Sequence, residues 1–84
     1  MKVALKLFAT LSDYLPAEAQ ATNRVELELD GDATIAGIIE DFKLPPKLVH
    51  LVLVNGVFVP PSARAHRKLA NGDTLAIWPP VAGG

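Results

Sequence analysis

Few residues in this chain could carry chemistry, and most of them lack a partner. His50 and His66 lie far apart with no ligand spacing beside them. A metal site would need carboxylates gathered around them in space, so none is expected. Ser12-Asp13 and Ser62 have no visible base arrangement for nucleophilic catalysis. Glu26, Glu28 and Asp30 alternate along one segment, as a solvated strand face or a docking surface would. There is no cysteine, which excludes disulfides, thiolate-bound zinc, iron–sulfur clusters and a thiol nucleophile. The sharpest feature is Gly83-Gly84, where the sequence stops. At about 7% glycine usage, two given positions are both glycine in roughly 0.5% of chains. Lacking side chains, such a segment can thread a narrow channel and bring its carboxylate against a nucleotide. A chain without cysteine can then carry a reactive group on the carboxylate of Gly84. A frayed tail is the plainer reading.

The aromatic residues form the second candidate. Alternation places Phe8 on one strand face with Lys2, Ala4 and Lys6, and Trp78 on another with Thr74 and Ala76. Phe58 follows an Asn-Gly turn and can point the same way. If the first and last strands are neighbours, these rings share the sheet face away from the helix. Burying Phe or Trp stabilises by roughly 1.5–3 kcal/mol, so exposing several requires a reason. A partner surface is one reason. The alternatives are that Trp78 folds over the tail, or that Phe8 packs under the segment after it.

The elements that must position these residues follow from periodicity. Lys2–Phe8 alternates with Val3, Leu5 and Leu7 inward, predicting a half-buried strand. Residues 9–23, with Pro16, predict a loop containing about one helical turn. Arg24–Asp30 alternates again with Val25, Leu27 and Leu29 inward, and Asp30-Gly31-Asp32 ends it. Ile35, Ile38, Ile39 and Phe42 then form one helical stripe, with Thr34 as N-cap and Pro45-Pro46 as stop. Gly37 weakens that helix by about 1 kcal/mol relative to alanine, so packing must hold it. Leu48–Val54 reads as a buried strand, and Asn55-Gly56 as a hairpin turn into Val57-Phe58-Val59. Residues 62–69 read as a short helical turn or ordered loop. Asn71-Gly72-Asp73 is a turn, and Thr74–Trp78 is the last strand, ended by Pro79-Pro80. The order β-β-α-β-β-β predicts an α+β domain with one helix on one face of a sheet.

Composition bounds the rest. Eighty-four residues, half of them apolar, allow one domain with one core. Eight basic and nine acidic side chains leave a net charge of −1, without the basic footprint of a nucleic-acid binder. Lys6 interrupts any signal-peptide apolar segment, and no apolar stretch approaches the roughly 18 residues of a membrane span. A cytoplasmic location is expected.

The ending Leu69-Ala70-Asn71-Gly72-Asp73 through Pro79-Pro80-Val81-Ala82-Gly83-Gly84 resembles the small subunit of molybdopterin synthase. There, L-x-[DN]-G-D opens the last strand and P-P-V-[SAT]-G-G closes the chain. The start, with Leu7-Phe8-Ala9-Thr10-Leu11, is also similar to that family. The shorter middle, from Asp32 to Gly56, is more like the sulfur carrier of thiamin thiazole synthesis. The resemblance implies a ubiquitin-like β-grasp fold over residues 1–84, with 79–84 as an extended tail. It further implies a sulfur carrier that is not an enzyme alone. An ATP- and magnesium-using enzyme, similar to ubiquitin-activating enzymes, would adenylate Gly84, and a sulfur donor would then form a thiocarboxylate. Val81, Ala82 and Gly83 would lead into the partner's site, and no cofactor would stay bound to the carrier. Phe8, Phe58 and Trp78 would match the contact surface for that enzyme and for the large synthase subunit. Molybdopterin, or its tungsten counterpart, is the expected product. Thiazole, thiolated tRNA or ligation to protein lysines are the alternatives.

Overall fold

Alternation becomes register in the computed structural model, which describes residues 1–80. Strand β1 (Lys2–Leu7) pairs antiparallel with β2 (Arg24–Glu28), setting Leu5 opposite Val25 and Val3 opposite Leu27. Strand β3 (Leu51–Val54) turns through Asn55-Gly56 into β4 (Val57–Phe58). Both turn residues have positive φ, 51° and 84°, the conformation that a two-residue hairpin of matching twist requires. Strand β5 (Thr74–Trp78) enters the middle, parallel to β1 and antiparallel to β3. The sheet order is β2-β1-β5-β3-β4. β5 is therefore central although it comes last.

One face of this sheet is the core. Val3, Leu5, Leu7, Val52, Val54, Leu75 and Ile77 are all fully buried there. Ile35 and Ile38 of the helix α1 (Ile35–Asp41) pack into the same cluster. Seven residues are too few for an isolated helix to persist in water, so its ends matter. The Ile35 and Ala36 amides donate to the carbonyls of Arg67 and Arg64, and the Gly37 amide to Thr34 Oγ1 at 3.1 Å. These bonds satisfy the donors that a helix start leaves free. At the other end, Leu44 N–H donates to Ile39 C=O and Lys43 N–H to Glu40 C=O. That is a Schellman closure, with Lys43 at φ 55° where glycine is the usual occupant. The helix thus stops before Pro45-Pro46 is reached.

Several boundaries differ from expectation, and β1 and β4 each end one residue earlier, at Leu7 and Phe58. Residues 9–23 contain two 3-10 segments, Ala9–Tyr14 and Ala17–Ala19, which bury Leu11 and Ala19. β2 ends at Glu28 rather than Asp30. The apolar run expected as a strand from Leu48 is one only from Leu51, because Pro46–Leu48 forms a 3-10 turn. Proline at its start presets φ for that turn. Apolar runs alone do not separate strand from turn.

Candidate functional site

The other face of the sheet holds the aromatic residues. Proline has no N–H to extend a ladder, so β5 ends at Trp78 before Pro79-Pro80. In the parallel pair, Lys6 is opposite Ala76 and Leu7 opposite Ile77. One step further sets Phe8 beside Trp78, and the Phe8 amide donates to the Ile77 carbonyl at 3.2 Å. Neighbouring strands lie about 4.8 Å apart, a spacing that suits stacked rings. The two rings do stack, with centroids 4.2 Å apart and planes 3° from parallel. Ala9, at φ 53°, then turns the chain off the sheet. Both rings remain half-buried rather than enclosed.

Cross-strand register extends this face. Leu51 lies opposite Trp78, and Leu53 lies opposite both Ala76 and Phe58. The edge residues are the most open: Phe58 is 51% exposed and Val57 64%. Ala4 and Ala76, expected to point outward, do lie on this face but are buried. Their methyl groups are short and Lys6 and Leu53 flank Ala76 in register. The result is an apolar surface of Phe8, Trp78, Leu51, Leu53 and Phe58 across β1, β5, β3 and β4.

Periodicity gave no hint of two polar devices that hold this surface. Arg64 is 9% exposed and has no carboxylate partner among the described residues. Its guanidinium donates to the carbonyls of Val59 at 3.2 Å, His50 at 3.1 Å and Val49 at 3.5 Å. Burial pushes its pKa below the usual arginine value, yet the group remains a cation at any ordinary pH. The His50 amide in turn donates to the Trp78 carbonyl at 3.1 Å. Arg64 thus fixes the backbone that borders the end of β5. No charge run marked it, because its acceptors are backbone carbonyls with no side-chain signature.

The second device is Asp73. Its carboxylate accepts from the Ala70 amide at 2.8 Å and from Asn55 Nδ2 at 2.9 Å. Asn55 Oδ1 accepts from the Thr74 amide. The Ala70 bond, then the Asn55 bond, and more weakly Arg67, hold Asp73 below the usual carboxylate range against an opposing effect of burial. The Asn71-Gly72-Asp73 turn is therefore a structural joint between the hairpin and the start of β5.

The remaining candidates do not converge. His50 and His66 are both exposed, and no three His, Asp or Glu side chains gather for a metal ion among the described residues. Glu26 pairs with Arg24 at 2.9 Å and Glu28 with Lys2 at 3.9 Å, all in solvent. A groove of about 440 Å³ beside α1 is lined by Asp30, Asp32, Thr34, Glu40 and Asp41, on the helical side of the sheet. No helix among the described residues is long and apolar enough to cross a membrane. The expectations for Val81, Ala82, Gly83 and Gly84 fall outside the described residues.

The model of the ThiS family matches residues 5–84. No curated protein matches the chain significantly. The solution structure of the Haloferax volcanii HVO 2177 protein is 27% identical, with a TM-score of 0.75, over 100% of this chain and 87% of that one. SAMP1 from Haloferax volcanii is 29% identical, with a TM-score of 0.65, over 100% of both chains. A complex of subunits 1 and 2 of molybdopterin-converting factor from Helicobacter pylori matches over 100% of both chains, with 16% identity and a TM-score of 0.62. At that identity the likeness is one of fold. The shared arrangement, a mixed five-stranded sheet with one main helix on one face, is the ubiquitin-like β-grasp.

Proposed function

The chain belongs to the ThiS family, and on that premise we propose that it is a sulfur carrier whose reacting group is the carboxylate of Gly84. The observation that carries this reading is the apolar sheet face around the stacked Phe8 and Trp78. It lies where β5 hands the chain to Pro79-Pro80 and on towards Gly83-Gly84. A partner that grips this face holds the origin of the tail in a known place.

The chemistry needs an outside active site. A carboxylate cannot be displaced directly by sulfur, because oxide is a hopeless leaving group. In the activating enzyme a Gly84 carboxylate oxygen attacks the α-phosphorus of ATP, and pyrophosphate leaves. A hydrosulfide-equivalent nucleophile then attacks the acyl carbon, and AMP leaves. The product is a thiocarboxylate. ATP and magnesium belong to the activating enzyme, and the carrier is its co-substrate. Val81-Ala82-Gly83 suits a narrow channel, since two of its three side chains are a methyl group or nothing.

The proposed acceptor is the large subunit of a synthase that makes molybdopterin or its tungsten counterpart. The Pro-Pro-Val-Ala-Gly-Gly ending supports it, as does the fold of a subunit seen in complex with a second subunit. Thiazole and thiolated tRNA are the competing products. The likeness to SAMP1, a small archaeal modifier protein, favours a second reading. In it the activated Gly84 meets a lysine amine and forms an amide.

Intact mass of the chain after incubation with ATP, magnesium, a sulfur donor and the organism's activating enzyme tests both. Exchange of one oxygen for sulfur at Gly84 is expected. Protein adducts heavier by one chain would favour the modifier. No change, with an enzyme shown to adenylate another carrier, would leave a plain interaction domain.

A further inference from the structure

The outer sheet face is divided, and Lys6 stands at the division. One cross-strand row runs Arg24, Lys6, Ala76, Leu53, Phe58. From Ala76 to the β4 edge it is apolar. On β1 and β2 it is cationic, with Lys6 directly opposite Arg24. Like charges facing each other across an antiparallel pair are destabilising. The register sets Glu26 diagonal to Lys6, and Glu26 holds Arg24 at 2.9 Å. Glu28, one pair further on, holds Lys2. Lys6 has no ion-pair partner among the described residues. It is also half-buried.

We propose that Lys6 is the orienting cation of the docking face, and that the partner protein presents a carboxylate to it beside the apolar pocket that takes Phe8 and Trp78. This rests on the carrier reading and names the chemistry of the partner's surface. Charge beside an apolar centre sets orientation and excludes wrong partners more than it adds raw affinity. A protein carboxylate fits better than a phosphate chain. Nucleic acid would need a run of cations, whereas Glu26 and Glu28 occupy the adjoining strand and the other half of the face is apolar. The like-charge juxtaposition is thus a stability loss in the free chain that docking relieves.

The test uses the full chain against the large synthase subunit of the same organism, by calorimetric titration at two salt concentrations. Lys6→Gln should raise Kd about tenfold and flatten its salt dependence, and Lys6→Glu should raise it further. In the free chain Lys6→Glu gains Arg24 as a partner, so its Tm should rise by about 3 °C. Higher stability with weaker docking is the expected signature. Unchanged Kd in both variants, with docking still lost in Trp78→Glu, overturns the role of Lys6 and leaves the carrier reading intact. If Trp78→Glu also binds normally, the docking face itself is wrong. Binding of a single-stranded RNA oligonucleotide that Lys6→Gln abolishes would overturn the carboxylate assignment in favour of phosphate.

Discussion

Phe8 stacks on Trp78 at 4.2 Å although seventy positions separate them in sequence. The parallel pairing of β1 with β5 makes them neighbours. The pair fills the exposed sheet face at the end of the strand that leads to the tail. Such rings are the usual anchors of a protein interface.

Trp78→Glu separates docking from folding. Loss of the stack should lower stability by about 1–2 kcal/mol and leave the circular dichroism of the fold intact. Affinity for the activating enzyme or the large subunit should fall by about thirtyfold or more. Global unfolding of the variant would instead make Trp78 a core residue. Trp78 is also the sole tryptophan, so Phe8→Ala should shift its emission to longer wavelength.

The carrier reading predicts that the reacting carboxylate is that of Gly84. Removing Gly83-Gly84 should abolish thiocarboxylate formation with no change in Tm. Adding residues after Gly84 should block activation, because the carboxylate moves away. Normal activation of an unprocessed extended chain, followed by mass spectrometry, would contradict the mechanism.

Asp73 predicts an acid limit. Its folded pKa is depressed by the Ala70 and Asn55 bonds, while in the unfolded chain it titrates at about 4. Its contribution is therefore fully present above about pH 4 and is lost as pH falls through the lower folded value. Asp73→Asn should lower Tm at pH 7 and flatten the fall in Tm on acidification. Equal slopes for both proteins would remove this role.

Arg64 predicts a large effect away from the aromatic face. Arg64→Met leaves the carbonyls of Val59, His50 and Val49 without their donor. A loss of about 2–3 kcal/mol is expected, which is a fall of roughly 10–20 °C in Tm for a domain this small. Arg64→Lys should recover part of it, since an ammonium can reach some but not all of those carbonyls. A variant as stable as the parent would show that water replaces the guanidinium.

Lys43 predicts a gain. It closes α1 at φ 55°, where a side chain is strained and glycine is not. Lys43→Gly should raise stability by about 0.5–1 kcal/mol, measured by thermal or urea denaturation. A loss would mean that the lysine side chain contributes more than the strain.

What could be read from the sequence was local. Alternation in β1, β2 and β5, the stripe of Ile35 and Ile38, the Thr34 cap and the Asn55-Gly56 turn are properties of a few adjacent residues. Side-chain period and φ preference therefore decided them before any folding. The outward faces of Phe8 and Trp78 were legible for the same reason. Their stacking was not, because parallel pairing of the first and last strands is a choice of topology. Arg64 was also silent in the sequence, because its partners are backbone carbonyls that only the packed chain brings near. Asp73 was legible as a turn residue, but its bond to the Asn55 side chain follows from the packed chain. Lys6 shows the same division: its direction follows from alternation, but its want of a carboxylate follows only from the register that sets Arg24 against it.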